Sequence, residues 1–315
     1  MQTRPLGRSG LSVPPIMLGG NVFGWTVDEA ASFRLLDRAV ELGLTFIDTA
    51  DVYSRWVPGH RGGESETILG RWLQRSGKRA QVTLATKVGM ELGDGAKGLS
   101  ASYIERAAEA SLQRLQTDHI DLYQSHRDDP DAPLTETLSA YAKLIAAGKV
   151  RIIGASNYSG ARLREALEIS RREGLPAYQT LQPHYNLVER RTYEHDLAPM
   201  AAEYKLGVIP YFALAAGFLT GKYRSAADVQ GKARAGAVGK YLNERGLSVL
   251  RALEEVAEEA RSTPARAALA WLLAKPDISA PIASATREEH LLDLAAAAQL
   301  KLSPEAVAKL DRASA

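Results

Sequence analysis

The chain reads as an α/β protein folded as a (β/α)8 TIM barrel with a small N-terminal β-hairpin. Three observations predict this: eight short apolar runs of β-type residues, amphipathic helical stretches between them, and polar or ionisable residues at the carboxyl ends of the runs. The runs are PIMLG (15–19), LTFID (44–48), VTLATK (82–87), IDLYQSH (120–126), VRIIGA (150–155), YQTLQ (178–182), GVIPY (207–211) and ISAPIA (278–283). Most are continuous rather than alternating, as expected of parallel strands covered on both faces. Eight such units most simply close into a ring. An open, doubly wound sheet is the alternative until closure is observed. At 315 residues, with no Pro/Ser linker, one domain spanning 1–315 is expected.

Taken in order, TRPLG and LSVP flank RSG as the two short strands of the hairpin. In the first helix Phe33, Leu36 and Val40 fall at i, i+3 and i+7. Thr26 and Glu29 read as its capping box and Gly43 as its stop. Ser102 and Glu105 read as a second cap, and Thr263 before Pro264 begins a later helix. A last helix is expected over 303–313. The Gly/Lys/Arg-rich stretch from Gly221 to Gly246 reads as one long irregular loop after the seventh run. Residues 93–98, GDGAKG, match G-x-G-x-x-G, but Met90, Glu91 and Leu92 separate them from the preceding run. A dinucleotide loop needs a strand running straight into its glycines, so this segment reads as a surface loop.

Composition narrows the function classes. Hydrophobic residues make up 45% of the chain, enough for a sizeable core. The formal charge of +2 comes from 39 basic and 37 acidic residues, with no dense basic block among aromatics, so nucleic acid is not an expected partner. The N-terminus has no apolar h-region, and the longest apolar run, Ala265 to Ala274, is too short to span a bilayer and contains Arg266. With no cysteine, disulfides, thiol nucleophiles and Cys-ligated zinc are excluded. A soluble cytoplasmic protein without a membrane partner is expected, and its oligomeric state is left open.

The chemistry concentrates at the run ends. Asp48 closes LTFID, Tyr53 lies just beyond, Lys87 closes VTLATK and His126 closes IDLYQSH. A phenol titrates near ~10 and needs help to serve as a proton donor at neutral pH. An adjacent ammonium is expected to lower that value, and a carboxylate holds the ammonium in place. A neutral imidazole can orient a carbonyl oxygen beside the phenol. This set protonates an oxyanion as a hydride reaches the carbonyl carbon, with no metal required. Ser156, Asn157 and Gln182 at later run ends offer amides and hydroxyls that match a carboxamide, and Tyr211 offers a flat face for a ring. A barrel hydrolase or isomerase using His126 and Asp48 is the competing reading of the same rim.

FIDTADVY with GGESE (62–66), LATK, YQSHRDD, GKVRIIGASNYS (148–159), LQPHYNL (181–187) and GFLTGKY (217–223) together resemble the aldo-keto reductase superfamily over essentially the whole chain. The branch resembles bacterial reductases related to potassium-channel β subunits. The resemblance implies a small-molecule carbonyl substrate and an NADP(H) cofactor, with Tyr53 as proton donor, Lys87 lowering its pKa, Asp48 supporting the lysine and His126 orienting the carbonyl. It implies that Ser156, Asn157 and Gln182 hold the carboxamide, that Tyr211 stacks on the nicotinamide, and that Gly20, Asn21 and Asp48 lie near the cofactor. Phe212, Leu214, Ala215, Gly217, Leu219 and Lys222 match the loop that folds over the pyrophosphate, with Lys232 and Arg234 as further phosphate candidates. SATREEHLLDL (284–294) is similar to the family's adenosine-phosphate motif. There Ser284, Thr286, Arg287, His290 and Asp293 are implied contacts. Thr286 and Glu289 read as a capping box that puts Arg287 in a first helical turn, which favours NADP(H) over NAD(H). The chain departs from the family pattern at Phe212 and Ala213, where relatives show Ser-Pro, and at Ser284, His290 and Leu294.

Trp25 and Trp56 are expected to wall the substrate pocket with His126. The chain ends soon after its last helix, so an open pocket with broad acceptance of aldehydes and ketones is expected. The alternative to an efficient reductase is a slow-turnover, cofactor-binding redox-sensing subunit.

Overall fold

In the computed structural model, which describes residues 1–315 except 94 and 233, the chain opens with the expected hairpin. Strands β1 (Arg4–Pro5) and β2 (Ser12–Val13) pair antiparallel about a turn whose Gly7 has φ 58°. A Cβ on Gly7 would meet the Gly207 nitrogen at 2.3 Å, so only glycine lets the hairpin approach this closely. The hairpin's Leu6 and Val13 are buried with Met17, Phe46, Ala85, Leu122 and Ile209 in one cluster. Its apolar residues thus share a core with residues from the barrel strands.

Eight parallel strands follow: β3 (Met17–Gly19), β4 (Phe46–Asp48), β5 (Thr83–Val88), β6 (Ile120–Ser125), β7 (Val150–Ser156), β8 (Thr180–Gln182), β9 (Gly207–Val208) and β10 (Ile282–Ala283). Each of β4 to β9 pairs with its predecessor in the sheet, and β10 returns to pair with β3. The ring closes between β9 and the segment leading into β10. There Val208 bridges Ile278, Ser279 N–H donates to the Val208 carbonyl at 2.8 Å, and Ile282 N–H donates to the Pro210 carbonyl at 2.9 Å. The barrel is therefore closed, and the open-sheet alternative falls. β9 and β10 are much shorter than their apolar runs because this closure runs through single bridges.

The helices are α1 (Glu29–Glu41), α2 (Glu64–Ser76), α3 (Ala101–Leu115), α4 (Leu134–Ala146), α5 (Gly160–Glu173), α6 (Ala198–Tyr204), α7 (Ala226–Val229), α8 (Ala235–Gly239), α9 (Glu244–Glu259), α10 (Pro264–Leu273), α11 (Glu288–Ala297) and α12 (Pro304–Ala313). Several caps differ from expectation. Asp28, not Thr26, caps α1, its carboxylate accepting from Ala31 N–H at 2.8 Å. Leu36 is fully buried as expected, but the buried face otherwise runs through Ser32, Leu35 and Ala39, leaving Phe33 and Val40 at its margin. Ser100 takes the N-cap position of α3, and Ala101 N–H is satisfied by Glu136 from α4, so Ser102 and Glu105 lie inside the helix. Thr263 caps α10 as predicted, with Pro264 in its first turn. The stretch from Gly221 to Gly246 is not wholly irregular: it holds α7, α8 and the start of α9.

Register places the chemistry at one end. Gly19 pairs with Asp48, Lys87 with Gln124, Ser125 with Ala155, and Ser156 with Gln182, all at or near carboxyl ends of strands. GDGAKG forms a loop with Gly93, Gly95 and Gly98 at positive φ, and none of its described residues lines the cleft at the carboxyl end of the barrel.

Candidate active site

Asp48 ends β4, Lys87 lies one residue from the end of the adjacent β5, and both are buried, at 1% and 0% exposure. Burying a charge alone is prohibitive, so they pair: Lys87 Nζ donates to Asp48 Oδ2 at 2.7 Å. The same ammonium donates to the Thr49 carbonyl at 2.8 Å and to the Tyr53 hydroxyl at 2.8 Å. Tyr53 in turn donates to Asp48 Oδ2 at 3.0 Å. The loop after β4 thus brings the phenol back over the strand end. His126 packs edge-on to the Tyr53 ring, with centroids 6.0 Å apart. Its Nδ1 is buried without a partner among the described residues, which leaves Nε2 as the ring nitrogen available to the cleft. All four sequence-predicted residues therefore meet.

Electrostatics corrects one expectation. Burial first, and the Asp48 carboxylate second, push the Tyr53 phenol well above its ordinary range. The anion that holds the lysine in place also repels a phenolate, so Tyr53 keeps its proton at neutral pH. Burial pulls the Lys87 ammonium down, opposed by Asp48. Burial, with the charges of Lys87 and Arg127, holds His126 well below its ordinary value, so its ring is neutral.

A cleft of about 1180 Å³ opens beside this group, lined by Tyr53, His126 and residues from most strand ends. Ser156, Asn157, Gln182 and Tyr211 line it, but their hydrogen bonds run largely to one another. Ser156 Oγ donates to the Gln182 carbonyl at 2.9 Å. Gln182 Nε2 donates to Asp48 Oδ1 at 3.2 Å and to Gln124 at 3.3 Å. Asn157 holds a left-handed backbone (φ 54°), donates to the His126 carbonyl at 2.8 Å, and accepts from the Tyr211 hydroxyl at 2.8 Å. The Tyr211 ring is stacked on His184, centroids 5.2 Å apart and planes 16° from parallel. Backbone strain gathers along this edge, since Phe212, Ala215 and Ala216 also have φ between 48° and 58°.

Asn21, Phe212, Leu214, Gly217, Lys222, Lys232 and Arg234 line the cleft as expected. So do Ser284, Thr286, Arg287, His290 and Asp293. Ser284 Oγ donates to Asn21 Oδ1 at 2.7 Å, tying the ends of β10 and β3 together. Gly20, Ala215 and Leu219 are buried rather than lining: they support the wall from behind. On α11 the expected capping box is absent. Arg287 is the N-cap residue itself, and Thr286 pairs with His290 Nδ1 at 3.3 Å instead of with Glu289. Asp293 is bound to Arg266, which the sequence reading missed as a lining residue although the Thr263–Pro264 helix start put it in a first turn. Arg127 and Met90, which line the cleft, and Gln124, which accepts from Gln182 beneath it, were also missed. Gln124 was visible as a polar residue inside an apolar run, whereas the Thr49 carbonyl is main chain and carries no side-chain signal.

Trp56 lines the cleft and is 48% exposed. Trp25 stands behind it, ring centroids 5.3 Å apart, with the Arg234 guanidinium 5.6 Å over its face. Among the described residues no cluster of His, Cys, Asp or Glu has metal-ligand geometry, and no helix is long and apolar enough to cross a membrane.

A closed barrel with an acid, a phenol, an ammonium and an imidazole on its carboxyl rim fits an oxidoreductase that acts on carbonyl groups. The sequence pattern of the Aldo/keto reductase family matches residues 15–315, and the chain belongs to that family. The family acts on carbonyl groups and generally binds a nicotinamide cofactor. The chain is 36% identical to an uncharacterised oxidoreductase, YrpG, of Bacillus subtilis, over 99% of this chain and 95% of that one. Two proteins of Schizosaccharomyces pombe are also similar. One is a putative voltage-gated potassium channel subunit beta, 33% identical over 98% of this chain and 92% of its own. The other is aldo-keto reductase yakc [NADP(+)], 32% identical over 99% and 91% respectively.

Proposed function

We propose that this chain, acting as one barrel domain, is an NADP(H)-dependent carbonyl reductase, reversible towards alcohol oxidation, in which Tyr53 is the general acid. The observation that carries the reading is the Lys87 ammonium held at 2.7 Å from Asp48 and 2.8 Å from the Tyr53 hydroxyl. In this reading the neutral His126 ring donates to the substrate carbonyl oxygen and places it beside the phenol. Tyr53 then delivers its proton to that oxygen, and the phenolate that forms is met at once by the ammonium 2.8 Å away. That proximity matters most after transfer: the site stabilises the product anion rather than ionising the phenol beforehand.

The residues fit a nicotinamide dinucleotide. Tyr211 presents an aromatic face, Asn157 and Gln182 carry amides that can exchange internal bonds for a carboxamide, and Lys222, Lys232, Arg234 and Arg287 supply cations to the same cleft. The cofactor supplies the hydride. Arg287 at the N-cap of α11 supports a phosphate there, and the NADP(+) in the name of the second fission-yeast relative agrees. A clear NADH preference in KM would overturn the NADP(H) assignment.

A hydrolase using Asp48 as base is disfavoured, because both of its carboxylate oxygens are committed, to Lys87, Tyr53 and Gln182. The channel-subunit relative keeps a second reading open, that of a slow redox-sensing subunit. NADPH oxidation across a panel of aldehydes separates them: tight NADPH binding with negligible turnover supports the sensor. For the reductase, Tyr53→Phe is expected to keep NADPH affinity and lose on the order of 10²–10⁴ in kcat. Full activity of that variant would remove Tyr53 from the mechanism.

A further inference from the structure

The cations lining the cleft are Arg127, Lys222, Lys232, Arg234, Arg266 and Arg287, against the carboxylates Asp48 and Asp293. Five of the six come from the stretch between residues 222 and 287, which follows β9 and surrounds β10; of these, Lys222, Lys232, Arg266 and Arg287 suit the phosphates of a dinucleotide, while Arg234 is stacked on Trp25 behind Trp56. Arg127 does not belong to that group. It follows His126 at the end of β6, and β6 stands four places from β10 in the eight-stranded ring, on the opposite side of the barrel. Its charge is therefore set apart from the phosphate side and next to the residue that orients the carbonyl.

Local structure leaves that charge unneutralised. The loop reads His-Arg-Asp-Asp-Pro-Asp, yet its first two acids are engaged elsewhere. Asp128 binds Arg162 through both oxygens, at 3.0 and 3.2 Å. Asp129 accepts from Leu99 N–H at 2.7 Å and from Asp131 N–H at 3.1 Å. Arg127 is exposed, and no carboxylate lies within ion-pairing distance of it among the described residues. The field of Arg127 reaches His126 all the same, since it is one of the charges that keep that ring neutral. Trp56, 48% exposed on the same cleft, adds apolar surface beside Tyr53, with ring centroids 6.2 Å apart.

We propose that Arg127 is a specificity-determining residue that selects aldehydes or ketones carrying an anionic group, a carboxylate or a phosphate, whose carbonyl lies at Tyr53 and His126. The inference rests on the carbonyl-reductase reading and narrows its substrate class. A guanidinium binds either anion through paired N–H donors, so the shared chemistry is a planar or tetrahedral oxyanion.

The test is a comparison of kcat/KM within two matched pairs: 4-carboxybenzaldehyde against 4-formylbenzamide, and glyceraldehyde 3-phosphate against glyceraldehyde. In the wild type at low ionic strength the anionic member of at least one pair is expected to lead on the order of tenfold to a hundredfold, the range of a charge-assisted hydrogen bond. Added salt should shrink that lead. In Arg127→Gln the ratio should collapse towards one, and Arg127→Lys should restore part of it. NADPH affinity, read by tryptophan fluorescence, should be the same in Arg127→Gln and wild type. A lead in the first pair alone identifies a carboxylate, and a lead in the second alone a phosphate. Equal kcat/KM within both pairs, or a lead that survives Arg127→Gln, would overturn the inference while leaving the reductase reading intact. Weakened NADPH binding in Arg127→Gln would assign the residue to the cofactor and also overturn it. Failure of every aldehyde to be reduced would sink the reductase reading and this inference with it.

Discussion

Replacing Lys87 by Met should cost more stability than any surface substitution, and replacing Asp48 as well should cost much less than the sum of the two. The reason is the burial of both groups, at 0% and 1% exposure, with a nitrogen-to-oxygen distance of 2.7 Å. At an effective dielectric of about 20, unit charges at that separation attract by about 6 kcal/mol, most of which offsets the cost of desolvating them. Removing one partner leaves the other charge stranded, at about 3–5 kcal/mol. Lys87→Met strands Asp48 with only the Tyr53 hydroxyl and the Gln182 amide as partners. Asp48→Asn strands an ammonium that retains the Thr49 carbonyl and Tyr53. In the double variant neither charge remains, so its ΔΔG should fall below the sum of the singles by several kcal/mol. Urea unfolding of the four proteins gives the coupling directly. Additivity within about 0.5 kcal/mol would refute the claim that the two act as one buried pair. The same variants separate folding from chemistry: a folded Asp48→Asn/Lys87→Met protein should still bind NADPH and yet reduce aldehydes far more slowly.

Asp51 is 1% exposed, and neither carboxyl oxygen has a hydrogen-bond partner among the described residues; burial, with Glu66 nearby, raises its pKa well above the ordinary value. The unfolded chain then ionises it near pH ~3.9 while the folded chain does not, so its contribution to stability is full below that pH and is lost as pH rises. Asp51→Asn should therefore raise the unfolding midpoint at pH 7 and give no comparable gain at pH 4; an equal effect at both would sink the assignment. His184 backs the Tyr211 ring at 5.2 Å. Losing that stack in His184→Ala removes about 0.5–1.5 kcal/mol of support, so NADPH should bind roughly twofold to tenfold more weakly, with His184→Phe restoring affinity. Fluorescence titration checks it, and unchanged affinity in His184→Ala would count against Tyr211 as the nicotinamide platform.

The eightfold alternation and the four strand-end residues were legible in the sequence because parallel strands buried on both faces leave unbroken apolar runs, and a rim site needs polar groups where those runs stop. Helix starts were legible only in part. Thr263 before Pro264 was unambiguous, but Thr26 and Ser102 were misassigned because Asp28 and Ser100 stand within two residues of them and the chain's path chooses between such neighbours. Residues such as Gly20, Ala215 and Leu219 matched a motif yet are buried, since a motif carries no direction for a side chain.

What the sequence determined by itself is the inventory: eight β/α units, an acid, a phenol, an ammonium and an imidazole, in an order that matches one family. The tertiary structure alone decided their electrostatics. Tyr53 has its pKa raised rather than lowered because Asp48 and full burial act on it together, and neither burial nor a distance of 3.0 Å can be read from residues five apart in a chain. Closure of the ring likewise decided that Arg127 faces the cleft from the side opposite β10, because only a closed sheet gives two strands an opposite side.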